Sequence, residues 1–196
     1  RQIPVKIAVR DLSKRFNVVR ATIVCDRGML SGDNLDFAEK SAEMRYIVGE
    51  KLRKLPTVHQ PLVFESQGYV ETGDLRIKDI AHPTRPGARL VLIYSQERAN
   101  KDKKDRERLL TKLRKKLEKK KAQPKDFISN SGVRKYISAQ GGTATLNREA
   151  ILKEEKWDGY FGIVTNHPIL SAETVLSQYR GLWQVEATFR VAKHDL

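Results

Sequence analysis

Val18-Val19-Arg20-Ala21-Thr22-Ile23-Val24-Cys25-Asp26 is the stretch on which the fold turns. So many β-branched and small apolar residues in a short run read as a strand over 18–25, buried on both faces and ending abruptly at Asp26. Upstream, AVRDLSKRF at 8–16 has the spacing of a short amphipathic helix. Downstream, Asp26-Arg27-Gly28-Met29 leads into Ser31-Gly32-Asp33-Asn34, a cluster that turns the chain and starts a helix over about 33–42. Tyr46-Ile47-Val48 then reads as a second strand. Strand, helix and strand in this order define an α/β unit. Open α/β sheets hold functional groups at the carboxyl ends of their strands, which makes Asp26 a candidate. The competing reading is an aspartate that caps the next turn.

The chain of 196 residues is long enough for one ordinary domain that buries roughly two-thirds of its unfolded surface. Its 38 basic and 24 acidic side chains leave a net charge of +14, a surface that attracts polyanions. Hydrophobic residues at 39% are too many for a wholly disordered chain, while 32% charged residues fit a globular body carrying a highly charged segment. The single Cys25 excludes an internal disulfide framework and a cysteine-rich zinc site, and it points to a reducing compartment. No apolar run reaches the roughly 18 to 20 residues that span a bilayer, and no signal segment opens the chain. A cytoplasmic protein with no membrane partner is expected.

From Lys51 to about Lys156 the pattern shifts to short β-like pieces, Leu62-Val63-Phe64 and Arg89 to Tyr94 among them, punctuated by Gly and Pro. They read as a β-rich insertion. Within it, residues 101–121 hold twelve Lys or Arg against four Asp or Glu, a local charge of +8. Leu109, Leu113 and Leu117 recur every four residues with Leu110 beside them, so a helix over about 97–122 with one narrow apolar stripe is expected, stopped before Pro124. Two readings stay open for it: a solvated helix packed on the insertion, or a DNA-contacting arm led by Lys112, Arg114, Lys115 and Lys116.

Asp158 to Thr165 reads as a further strand, Asn166-His167-Pro168 as a turn, and Ser171 as the N-cap of a helix with Glu173 in its first turn and a break near Gly181. Wound at about 100° per residue, Leu182, Val185, Phe189 and Ala192 fall within an arc of roughly 80°, a packing face. Tyr179, Glu186 and Lys193 are spaced by sevens along its flank, with Trp183 and Arg190 bordering them. Taken alone, Glu186 reads best as an exposed glutamate paired with Arg190. His59, His82, His167 and His194 lack metal-ligand spacing and read as surface or turn residues, and no glycine-rich phosphate loop is present.

The terminal segment YRGLWQVEATFRVAKHDL, 179–196, resembles the Tyr-Arg-Glu-Lys signature of bacterial and archaeal insertion-sequence transposases of the DDE class. Tyr179, Glu186 and Lys193 stand at the signature's spacings; Leu182 occupies the arginine position, with Arg180 two residues earlier. Val24 to Ser31 resembles the family's strand with the second catalytic aspartate. Asp158-Gly159-Tyr160 with Thr165-Asn166 resembles the strand ahead of the glutamate helix. The resemblance implies an α/β, RNase H-like mixed sheet flanked by helices: a partial core at 1–50, the β-rich insertion with its basic helix at 51–156, and the last core strand and glutamate helix at 157–196.

It implies further that Asp26 and Glu186 are catalytic and hold two Mg²⁺ or Mn²⁺ ions, hard cations suited to carboxylate oxygens. Two such ions support in-line displacement at phosphorus: water nicks the transposon end, then the 3′-hydroxyl attacks target DNA. Tyr179, Arg180, Trp183, Arg190 and Lys193 would contact DNA, although a tryptophan in the position of Trp183 is more often a packing residue than a base-stacking one. A homodimer in the prokaryotic nucleoid follows by family analogy. The family's first aspartate lies on an earlier strand, and the 25 residues before Asp26 leave no room for it. The chain is therefore read as the C-terminal part of a catalytic domain, inactive alone. The rival from another class is a non-catalytic basic DNA- or RNA-binding protein; a stand-alone nuclease of the same fold ranks last, since it needs the missing aspartate.

Overall fold

The computed structural model describes residues 21–26, 32–40, 44–118, 131–140 and 143–182. The helix expected at 8–16, and Trp183, Glu186, Arg190 and Lys193, lie outside the described residues. In chain order the elements are β1 (Ala21–Cys25), α1 (Gly32–Glu39), β2 (Met44–Glu50), two 3₁₀ turns (Leu52–Lys54 and Thr57–His59), α2 (Pro61–Phe64), β3 (Val70–Thr72), β4 (Leu75–Ala81) and β5 (Arg89–Ser95). There follow α3 (Gln96–Leu117), α4 (Ser131–Arg134), β6 (Ile137–Gln140), β7 (Thr143–Leu146), α5 (Arg148–Glu155), β8 (Tyr160–Thr165) and a helix α6 over 172–182.

Six strands form one mixed sheet in the order β1-β2-β8-β5-β4-β3. β1 runs parallel to β2, Ala21 opposite Met44 and Cys25 opposite Val48, while β2 and β8 are antiparallel. Alternation along the strands sorts the core into two layers. Ile23, Cys25, Tyr46, Val48 and Val164 pack with Leu35 and Ala38 of α1. Val24, Ile47, Val91, Ile93 and Ile163 face the other way, onto Ala172, Val175, Leu176 and Tyr179 of α6. The chain is thus α/β, a mixed sheet flanked by helices.

By contact the chain divides into two units, one of residues 1–93 with 161–196, the other Tyr94–Tyr160. Three expectations change. β3, β4 and β5, expected inside an insertion beginning near Lys51, are strands of the main sheet, and the separate unit starts only at Tyr94. Leu62-Val63-Phe64 is helical rather than β-like because Pro61 sits in the first helical turn, where its fixed φ and missing N–H are tolerated. β1 is not buried on both faces: it is the outermost strand of the described sheet, and Thr22 is exposed while Cys25 is buried.

The unit Tyr94–Tyr160 is organised by α3. Ser95 caps it, its hydroxyl accepting from the Arg98 N–H at 3.2 Å. Leu110 and Leu113 are buried, flanked by Leu109 and Leu117, against Tyr136, Ala144, Val133 and Ile151. The apolar stripe legible in the sequence therefore has its cover, the β6–β7 hairpin and the segments beside it. Arg106 lies on the same face and is 8% exposed, and its Nη1 reaches both carboxylate oxygens of Asp158 at 2.5 and 2.6 Å. Gly159 follows at φ +82°, and a β-carbon there would stand 2.6 Å from the Ser95 carbonyl oxygen, so only glycine fits this turn.

Candidate functional site

Asp26 stands exposed one residue beyond the carboxyl end of β1. Two-residue periodicity puts it on the side of Val24, the side α6 covers. The Tyr179 hydroxyl donates to Asp26 Oδ1 at 2.9 Å. Two of the residues singled out from sequence thereby meet across 153 positions of chain.

Three local devices set α6 at this place. Thr165 ends β8 with its hydroxyl donating to the Tyr46 carbonyl at 2.7 Å. The next residue, Asn166, continues the ladder with its side chain: Oδ1 accepts from the Tyr46 N–H at 2.9 Å and Nδ2 donates to the Met44 carbonyl at 3.2 Å. Then Arg89 of β5, held by both oxygens of Asp79, donates to the carbonyls of His167 and Leu170 and pins the turn ahead of the helix. His167 shapes that turn from inside, its Nδ1 facing the N–H groups of Ile169 and Leu170. Partial burial, with Arg45 and Arg89 nearby, lowers its pKa, which favours the neutral ring that can accept there.

Ser171 caps α6 as its sequence position predicts, its hydroxyl accepting from the Thr174 N–H at 3.2 Å. Backbone N–H bonding and the Ser171 hydroxyl hold the Glu173 carboxyl below its usual range. Ala172, Val175, Leu176 and Tyr179 form the packing face, at the i, i+3, i+4, i+7 spacing of an amphipathic helix. Tyr179 thus belongs to the packed face, not to its flank, and the helix runs through Gly181 without the expected break. Arg180 is exposed, and the residues from Trp183 onward lie outside the described ones.

Beside Asp26, burial first and the adjacent carboxylate second push the Cys25 thiol up to about 11, consistent with a small buried hydrophobe. Across the sheet, the Tyr46 hydroxyl donates to Glu39 at 2.6 Å, and Arg85 of the β4–β5 turn reaches Asp36 and Glu39 at 3.0 Å. Burial and Glu39 raise the Tyr46 phenol, so it stays a donor. In the same turn, buried His82 accepts the Thr84 N–H at Nδ1, and its Nε2 faces Glu50 Oε2 at 3.6 Å. Burial would raise the Glu50 carboxyl, but His82, the Lys51 N–H and Arg85 outweigh it and hold it low. These contacts clamp the β4–β5 turn onto α1 and β2; sequence reading missed them because Glu50, His82 and Arg85 are scattered and each type is common on surfaces.

The hard oxygens of Asp26 suit a divalent cation in kind. In number they do not suffice: among the described residues no three His, Cys, Asp or Glu side chains gather to hold a metal. Of the basic-helix candidates, Lys112 and Lys115 lie on the side of α3 opposite its buried face, while Arg114 and Lys116 are exposed on its flanks. Among the described residues, no helix is long and apolar enough to cross a membrane. No family model matches the chain, and no curated protein and no solved structure does so.

Proposed function

We propose that the chain is part of the catalytic domain of an insertion-sequence transposase of the DDE class, with an RNase H-like core in which Asp26 and Glu186 are metal ligands. The observation that carries this reading is the Tyr179–Asp26 hydrogen bond. It brings the first residue of the terminal signature to the aspartate at the end of β1, the two segments whose sequences carry the resemblance. The parallel β1–β2 pair joined through α1, with an acid at the strand's carboxyl end, supports the same reading.

Asp26 and Glu186 would supply two of the carboxylates that hold the metal. Bound Mg²⁺ or Mn²⁺ would activate the attacking oxygen and stabilise the leaving one on DNA. The chain's own contribution is orientation: Tyr179 holds one Asp26 oxygen, which limits how the carboxylate can turn. Lys193 would add positive charge for phosphate without reading bases.

The test is Mn²⁺ titration of the chain followed by calorimetry, with Asp26→Asn and Glu186→Gln compared. Each variant is expected to weaken binding at least about tenfold while melting like the parent. Mn²⁺ binding indifferent to both substitutions would overturn the reading.

A further inference from the structure

We infer that the outer face of α3 is a docking surface for the phosphate backbone of duplex DNA, without base preference. At about 100° per residue, Lys101, Lys104, Arg108, Lys112 and Lys115 fall within an arc of roughly 80°, centred almost opposite Leu110, Leu113 and Arg106. All five are exposed. They span 15 residues of one helix, about 21 Å along its axis at 1.5 Å per residue. Lys104, Arg108, Lys112 and Lys115 line a shallow trough together with Glu107 and Thr111.

Of the acids of α3, exposed Glu97 stands in the same arc at its N-terminal end, four residues before Lys101, and the other three lie outside it. Asp102 accepts from the Gly159 N–H and lies 3.8 Å from Arg98. Asp105, at the stripe's edge, pairs with Arg108 at 3.6 Å, and Glu107 borders the trough. The buried Arg106 takes no part, being engaged by Asp158 and Glu155. A row of five cations with one acid, Glu97, therefore faces solvent on a helix whose opposite side is anchored in a core.

The choice of partner follows from what the row holds. It offers point charges and a threonine hydroxyl but no aromatic ring on which bases could stack, so it suits phosphates and not an unpaired strand. A helix about 10–12 Å wide matches the roughly 12 Å major groove of B-DNA, whereas the A-form RNA major groove is too narrow to admit it. The inference uses only residues 94–160 and holds whether or not Asp26 binds metal.

The experiment is fluorescence anisotropy of the chain with two unrelated 20-bp DNA duplexes, a duplex RNA and a single strand, across a salt series. The variant Lys104→Gln/Arg108→Gln/Lys112→Gln/Lys115→Gln removes four charges with little change in helix propensity. The control, Lys51→Gln/Lys54→Gln/Lys153→Gln/Lys156→Gln, removes the same charge from exposed sites elsewhere. The stripe variant is expected to lose at least tenfold in affinity for both DNA duplexes alike, with a log–log salt slope shallower by roughly 3 to 4. The control is expected to lose much less. Equal losses in the two variants would overturn the inference, as would tighter binding of duplex RNA or of the single strand than of duplex DNA. Circular dichroism of both variants shows whether a loss reflects unfolding; if the stripe variant unfolds, Lys104→Gln/Lys112→Gln alone is expected to lower the slope by about 2, and an unchanged slope overturns the inference.

Discussion

The Tyr179 hydroxyl and Asp26 Oδ1 are 2.9 Å apart, joining α6 to the end of β1. The ring of Tyr179 packs into the layer formed by Val24, Ile47 and Val175, so the residue has two separable roles, apolar packing and orientation of an acid. Tyr179→Phe keeps the first and removes the second. Its destabilisation is expected to stay near 1 kcal/mol, whereas Tyr179→Ala costs about 2 to 3 kcal/mol. A double-mutant cycle of Tyr179→Phe with Asp26→Ala, read by urea unfolding, is expected to return a coupling of about 0.5 to 1 kcal/mol; additivity would mean that the bond contributes nothing.

Gly159 tests the turn between α5 and β8. Its positive φ and the 2.6 Å approach to the Ser95 carbonyl leave Gly159→Ala no relaxed alternative, because the obstacle is backbone. A loss on the order of 2 to 4 kcal/mol is expected, concentrated in residues 94–160. Native-state hydrogen exchange would show faster opening of the α3 amides; unchanged protection there would contradict the geometry.

Arg106 and its two acids predict an asymmetry. Asp158, whose side chain is 16% exposed, neutralises a guanidinium that is itself 8% exposed, while Glu155 is 45% exposed and 3.5 Å away. Asp158→Asn leaves a buried charge without its main partner and is expected to cost about 3 kcal/mol. Glu155→Gln is expected to cost less than about 0.5 kcal/mol. Thermal melts of the pair decide it, and equal effects would refute the assignment.

The Glu50 carboxyl, held low by His82, the Lys51 N–H and Arg85 against the opposing pull of burial, adds stability that depends on pH. A depressed folded-state pKa stabilises above the unfolded value of about 4.3 and loses that contribution as pH falls through the folded value. Glu50→Gln is therefore expected to be less stable than the parent at pH 7, with the gap closing as pH drops below about 4. A gap that widens in acid would give the wrong sign.

Much of the core was legible in the residues themselves. β-branched alternation at 21–25 and 44–50, helix-start chemistry near Gly32 and the Ser171 cap are local signals, and they produced the expected elements. The leucine stripe of α3 was legible for the same reason. By contrast, Arg106 is one of twelve cations in a charged run, and nothing in its neighbours marks it as buried. Its partner Asp158 is 52 residues away. The main-sheet membership of β3 to β5 was hidden likewise, since a strand's own pattern does not say which sheet it joins.

Composition and short-range periodicity determined the strand–helix–strand unit, the net charge and the acid at a strand end, because those depend on side chains within a few residues of one another. Tertiary structure alone decided that Tyr179 meets Asp26, that Asn166 extends the β2 ladder, and which cations of α3 face solvent. Such contacts follow from sheet order and from how helices seat on the two apolar layers, and long-range packing free energy selects these only when the whole chain folds.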